Sequence, residues 1–350
     1  MKVLIIGPSW VGDMVMSQSL YRTLKKKNPN CHITVLAPDW CRAILSRMAE
    51  VDAILAMPIG HGKLELKHRW QIARSLKAQK FDQAIVLPGS LKSALIPWLA
   101  RIPIRTGWLG EMRYGLLNDY RKLNKPAFPM MVERYVALAF DKNEITNAKE
   151  LPEPILWPSL STDSERQEKL RIHFGLHAER PTLAICPGAE FGPAKRWPEY
   201  HYATLCEKII LQGWQVVIFG SQKDQLIGEQ IIQALPTELN SFCLNLAGQT
   251  KLEEAVDLMA SCDAVVSNDS GLMHVAAALN LPLVALYGPS SPDFTPPLSN
   301  KAHIIRLISG YHKVRRGDGE QGYHQSLIDI QPQQVFDALQ NQLIPQQGNE

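Results

Sequence analysis

The chain has few of the features that would assign it to a membrane, a disulfide scaffold or nucleic acid. No apolar run among its 350 residues approaches the ~18 needed for a membrane span. The opening MKVLIIG is too short for the apolar region of a secretory signal, and charged Asp13 interrupts the next stretch. A cytoplasmic location is therefore expected. Net charge is +3, too mild for nucleic acid to be the main partner. The six cysteines (Cys31, Cys41, Cys186, Cys206, Cys243, Cys262) form no C-x-x-C pair, and several sit in apolar runs. They read as buried free thiols of a reducing compartment, not as disulfides or a zinc site.

Two nucleotide signatures are missing as well. The first apolar run leads into GPSWVGDM, with glycines spaced as in a phosphate-binding P-loop. The Lys of that loop is absent, and Asp13 and Met14 stand where Lys and Ser or Thr belong. No G-x-G-x-x-G succeeds the run, so a dinucleotide site is a poor reading there too. No D-x-D falls in a strand-end loop, as a metal-dependent transferase would want. A carboxylate repels phosphate, so Asp13 makes more sense facing a hydroxyl, as a general base within hydrogen-bond reach. Its plain structural alternative is a cap on the adjoining helix.

The chain does have short apolar runs alternating with helical patterns. Hydrophobic residues make up 45% and charged residues 20%, ordinary for a soluble globular protein. In the first half the pattern predicts strands at 2–6, 32–36, 53–56 and 82–87, and helices at 14–27, 40–47 and 64–78. The run ELPEPILWPSL, residues 150–160, carries three prolines and reads as an extended linker. Beyond it, strands are predicted at 182–186, 215–219, 264–267, 283–287 and 303–307. Helices are predicted at 198–212, 223–234, 252–261, 271–279 and 332–342. Runs such as VLII and AIVL are apolar throughout, as in strands covered on both faces. The fold class expected is α/β: two Rossmann-like doubly wound domains facing a central cleft. The expected divisions are 1–160, 161–330 and a terminal helix in 331–350.

Ligands of such sheets bind beyond the carboxyl ends of the strands. Three loops of the second half stand out. SNDSGLMH offers small cap-type residues at a helix N-terminus, a ready anion site, with Ser270 and Gly271 at the turn and His274 one turn in. CPGAEFGPAKRWP places Lys195 and Arg196 just before a helix, where Lys195 can meet phosphate oxygens. FGSQKDQ sets Asp224 at a helix start, able to accept from ribose hydroxyls. Taken singly, these are a good N-cap, a solvated basic pair and a macrodipole complement. Taken together, they point to a nucleoside-diphosphate ligand in the second domain. Ser270 and His274 lack the G-x-S-x-G elbow of a hydrolase.

The stretches IGPSWVGDMVMSQSL, TGWLGEMRYGLLND, CPGAEFGPAKRWP, NDSGLMHVAAALNLPLVALYGPSSPDFTPP and GYHQSL together resemble the ADP-heptose:lipopolysaccharide heptosyltransferases of Gram-negative bacteria. Within that family they are most similar to the enzymes that add the second heptose. The resemblance runs in order to about residue 330. It implies a glycosyltransferase B-type fold, an acceptor-binding N-terminal domain, an ADP-heptose-binding C-terminal domain and a last helix returning to the first domain. It implies inverting transfer to heptosyl-Kdo-lipid A, no cofactor, no obligatory structural metal, and peripheral contact with the cytoplasmic face of the inner membrane. Asp13 matches the family's catalytic base. Lys195, Asp224, Asp269, Ser270, Gly271 and His274 match donor-binding positions. Basic candidates for the polyanionic acceptor are Lys63, Lys67, Arg69, Arg105, Arg113, Arg121, Lys313, Arg315 and Arg316. The alternatives are transfer of the first heptose to Kdo, a sugar-nucleotide epimerase of the same architecture, and a nucleotide- or carbohydrate-binding module without turnover.

Overall fold

A computed structural model describes residues 1–60 and 63–343. Its contacts divide the chain into two units, Met1–Ser161 and a second beginning at Thr162. Each is built on a six-stranded, all-parallel sheet.

The first unit holds strands β1 (Lys2–Ile6), β2 (His32–Ala37), β3 (Ala53–Ala56), β4 (Gln83–Val86), β5 (Ile104–Trp108) and β6 (Asp119–Arg121). Its helices are α1 (Val11–Lys27), α2 (Arg42–Leu45), α3 (Leu66–Lys77), α4 (Leu91–Leu99) and α5 (Met131–Val136). The second unit holds β7 (Thr182–Cys186), β8 (Gln215–Ile218), β9 (Cys243–Asn245), β10 (Ala264–Asn268), β11 (Leu283–Tyr287) and β12 (Ala302–Arg306). Its helices are α6 (Ser164–His173), α7 (Glu199–Leu211), α8 (Gln225–Gln233), α9 (Leu252–Ala260), α10 (Gly271–Ala278), α11 (Gln325–Ile328) and α12 (Pro332–Leu343).

The strand order is β3-β2-β1-β4-β5-β6 in one sheet and, read from the corresponding edge, β9-β8-β7-β10-β11-β12 in the other. Each chain segment starts in mid-sheet, winds to one edge, then returns to the middle and winds to the other. The reversal falls between β1 and β4 in the first sheet and between β7 and β10 in the second. In such sheets the loops flanking the reversal part and leave room for a ligand.

The apolar runs explain the layers. Val3, Leu4, Ile5 and Ile6 of β1 are all buried, as are Leu183, Ala184 and Ile185 of β7. Strands buried on both faces need helices on both faces, and the parallel crossovers supply them. Each such side chain taken from water contributes about 1.5–3 kcal/mol before the cost of ordering the chain. The edge strand β12 is only partly covered, and its Ile304 remains exposed.

The resemblance implied a return of the last helix to the first domain. The described part, α12, packs on α7 and β11, and its Val335, Ala338 and Leu339 belong to the core of the second unit. The final stretch of the 331–350 segment, residues 344–350, lies outside the described residues.

Candidate active site

In the first unit, Gly7 ends β1, and a Cβ there would lie 2.9 Å from Met14 Cε and 3.2 Å from Ala37 Cβ. Only glycine lets the chain leave the sheet so close to α1. Trp10 is the N-cap of α1, with extended φ/ψ and no side-chain cap bond. Asp13 is therefore not the cap; it lies in the first helical turn, where the macrodipole favours a carboxylate. The neighbouring loop, after β4, is held from below. Arg113 is fully buried; its guanidinium donates to the carbonyls of Pro88 (2.6 Å), Ser90 (3.1 Å) and Trp108 (2.5 Å) and to Ser93 Oγ (3.1 Å). Burial lowers its pKa to about 10, which leaves it charged near neutrality.

Arg113 thus leaves the set of acceptor-binding candidates, and three others leave with it. Arg69 donates to the carbonyls of Leu64, Lys92 and Lys63. Arg105 bonds the carbonyls of Leu116 and Ile102. Arg121 bonds those of Ala137 and Phe140, together with Asp119. These four close loops and helix ends. Lys63, Lys67, Lys313, Arg315 and Arg316 remain exposed.

In the second unit, the loops after β7 and β10 meet at the chain reversal. Lys195 Nζ lies 2.6 Å from Asp269 Oδ2, with both side chains largely buried. Asn268, at the end of β10, ties the two loops together. Its Oδ1 accepts from the Trp197 amide (3.0 Å) and the Tyr202 hydroxyl (3.2 Å), and its Nδ2 donates to the Pro187 carbonyl (2.7 Å). Trp197 is buried in turn and donates from its indole to Ile330. Read as a cap-type residue, Asn268 gave no sequence signal for this role, because its partners lie about 70 residues or more away.

Two further contacts shape the Lys195 loop. Gly192 adopts φ +138°, and a Cβ there would lie 2.4 Å from the Arg315 carbonyl oxygen. The Ala194 amide donates to that same carbonyl at 3.3 Å. Phe191 is then flanked by two cations, with Lys195 Nζ 5.7 Å and the Arg315 guanidinium carbon 5.4 Å from its ring centre.

Ser270 is the N-cap of α10, yet its side chain makes no cap bond, so the first amides of the helix are not consumed by it. Gly271 begins the helix. His274 is buried in the next turn, beside Asp269 and Lys195. Burial first, and then the Lys195 charge, against the opposing pull of Asp269, bring its pKa down to about 4. His274 is therefore neutral near pH 7, a packing or hydrogen-bonding imidazole and not a cation. Asp224 closes a capping box, accepting from the Ser221 amide (2.8 Å) and hydroxyl (2.7 Å). It also lies against the Lys195 loop, because a Cβ on Gly188 would fall 2.5 Å from its carboxyl carbon.

The candidate donor residues are thus brought together in one unit: Lys195 and Asp269 in contact, His274 within their electrostatic reach, Ser270 and Gly271 beside them in the chain, and Asp224 at the base of the same loop. The site can offer an anion a cation and a helix N-terminus, and a sugar two carboxylates. Among the described residues no helix is long and apolar enough to cross a membrane.

Residues 69–324 match the model of glycosyltransferase family 9 (heptosyltransferase). The chain is 61% identical to lipopolysaccharide heptosyltransferase 2 of Salmonella typhimurium, over 99% of this chain and all of that protein. It is 60% identical to the Escherichia coli protein of the same name, with the same coverage. Among solved structures, it superposes on E. coli ADP-heptose lipopolysaccharide heptosyltransferase II with a TM-score of 0.91, 57% identity and 98% of each chain covered.

Proposed function

We propose, from the premise that this chain belongs to glycosyltransferase family 9, the heptosyltransferases, that it moves heptose from ADP-heptose to the first heptose of the lipopolysaccharide inner core. The acceptor is heptosyl-Kdo-lipid A, and the anomeric configuration inverts. The enzyme works in the cytoplasm, in peripheral contact with the inner membrane surface that presents the acceptor. The first unit takes the acceptor and the second the donor.

The observation that carries this reading is the Lys195–Asp269 pair, 2.6 Å apart, where the second sheet reverses direction. A cation and a helix N-terminus at that place suit a diphosphate, and Lys195 exchanges Asp269 for a phosphate oxygen when the donor binds. Asp269, released, turns to the heptose hydroxyls. The amides at Ser270–Gly271 and the Lys195 ammonium then oppose the charge that grows on the leaving ADP. Asp224 has one carboxyl oxygen engaged by Ser221 and reaches the ribose with the other. His274, neutral, supports Asp269 from behind. Asp13 takes the proton from the acceptor hydroxyl as that oxygen bonds to the anomeric carbon and the bond to the diphosphate breaks. The macrodipole of α1 favours the carboxylate form of Asp13 for this task.

The test is a pair of acceptors offered with ADP-heptose. Transfer to heptosyl-Kdo-lipid A and not to Kdo-lipid A is the expected result. Transfer only to Kdo-lipid A would reassign the chain to the preceding step. Turnover of ADP-heptose alone, with epimerisation and no acceptor, would overturn the transferase reading.

A further inference from the structure

Residues 307–324 run from β12 to α11 and are fastened along their length within the second unit. The His312 amide donates to the Pro289 carbonyl, in the loop after β11, at 2.7 Å. The Arg315 carbonyl accepts from the Ala194 amide, in the loop after β7. The Gly317 amide donates to the Gly322 carbonyl at 2.7 Å and the Gly319 amide to the Tyr323 carbonyl at 2.8 Å, which folds the far end back on itself. There the buried Tyr323 donates from its hydroxyl to the carboxylate of Glu199, in the first turn of α7. The segment is thus a strap tied by backbone bonds to the loops that follow β7 and β11.

The strap carries the exposed cations Lys313, Arg315 and Arg316, and its fastening sorts the two arginines. Arg316 lies along Gly322, where a Cβ would fall 2.6 Å from Arg316 Cγ. Arg315 goes to the Lys195 loop. Its guanidinium carbon is 5.4 Å from the centre of the Phe191 ring, and Lys195 Nζ is 5.7 Å from the same centre. Lys195 is paired with Asp269, and Lys223 beside the loop is paired with Glu190. Among the described residues, no carboxylate is paired with Arg315. Two cations held against one ring repel each other, and an anion bound beside them relieves that repulsion. The proposed donor site needs the second cation. Lys195 is set against both Asp269 and Asp224, and a diphosphate brings further negative charge to the same place.

We propose that Arg315 is a second donor contact for the transfer reaction: its guanidinium binds the β-phosphate of ADP-heptose beside Lys195, and the strap delivers it there. This rests on the second unit taking the donor, and it moves Arg315 from the acceptor's cations to the donor's. A planar guanidinium grips two phosphate oxygens at once, whereas the Lys195 ammonium meets them as a point charge. As the bond between the anomeric carbon and the β-phosphate oxygen breaks, its electron pair stays on ADP, and Arg315 offsets the charge that grows there. Until the donor arrives, the face of the Phe191 ring holds the guanidinium. An exposed cation–π contact is weak, so the ring gives it up at small cost.

Arg315→Gln alters an exposed side chain and keeps the backbone carbonyl that holds Ala194, so Tm should stay near that of the wild type. Isothermal titration should show ADP bound roughly tenfold more weakly and AMP within about twofold of wild type, since only ADP has the β-phosphate and a charge-assisted hydrogen bond is lost. The kcat with ADP-heptose should fall as well. Arg315→Lys should recover part of the ADP affinity, and the advantage of the wild type should shrink as salt is raised. ADP affinity of Arg315→Gln within about twofold of wild type would overturn the proposal. So would an equal loss for AMP and ADP, the mark of a displaced loop. Lys195→Ala keeps the two readings apart. If it weakens ADP binding and Arg315→Gln does not, the strap has no part in holding the donor. If ADP binds Lys195→Ala as tightly as wild type, the donor site itself falls.

Discussion

At the scale of single residues, the second unit keeps its ionisable groups in defined states through burial and pairing. His274 is the clearest case. Its pKa is about 4 in the folded chain, against about 6.5 for a free imidazole. The unfolded chain therefore binds the proton first as pH falls. Stability contributed by the neutral imidazole is present above about pH 6.5 and is lost progressively as pH drops toward 4. Thermal melts should show the wild type losing Tm across that window, and His274→Gln should flatten the decline. A parallel decline in both proteins would mean that other groups carry the acid sensitivity. Asp13 and Lys195 stood out as candidates because of the residue type each puts at a strand-end loop, whereas Asp269 was singled out only by the family resemblance. The tasks of Arg113 and Asn268 were not legible. An arginine in a loop and an asparagine before a helix are ordinary by themselves. Their roles exist only once distant backbone has folded around them.

Among the elements, the long apolar strands and their crossover helices could be read directly. β1, β3, β7 and β11 fall where the apolar runs predict, to the residue. β5, β6 and β9 were not anticipated. IRTGW, DYR and CLN have no apolar run to announce them, and pairing with an already formed neighbour makes them strands. Nor was α6 anticipated, because its sequence SERQEKLRIH is mostly solvated and buries only Leu170. The loop of 187–198 holds Lys195, the proposed donor contact, and Gly192 is its pivot. Its φ of +138° and the nearby Arg315 carbonyl leave no room for a methyl group. Gly192→Ala should displace the Lys195 loop at a cost of about 1–3 kcal/mol. Isothermal titration with ADP should show binding weakened at least several-fold while circular dichroism stays native. Unchanged ADP affinity would separate the loop from the donor site.

Over the whole chain, two units with the same strand order have been given different work. The first carries a carboxylate, Asp13, on the helix after its opening strand. The second carries, in the corresponding loop, a cation. The symmetry of order was legible in the alternation of runs, but the place of the last helix was not. An amphipathic segment shows which of its faces needs cover and says nothing about which core supplies it. Leu339 is fully buried among α7 and the second sheet. Leu339→Ala should cost about 2–5 kcal/mol, read as a lowered denaturation midpoint. If the midpoint did not move, α12 would be an appendage and not part of that core.

All six thiols are buried: Cys31 and Cys41 in the first unit, Cys186, Cys206, Cys243 and Cys262 in the second. Desolvation raises the pKa of Cys41 and of Cys186 to about 12, so neither supplies thiolate while the chain is folded. The native protein therefore carries six silent tags, divided unequally between its halves. An alkylating reagent can mark them only when their surroundings open, and peptide mass spectrometry can tell which half opened first. The chain holds its own clock for the breathing of each unit, with no label to be engineered.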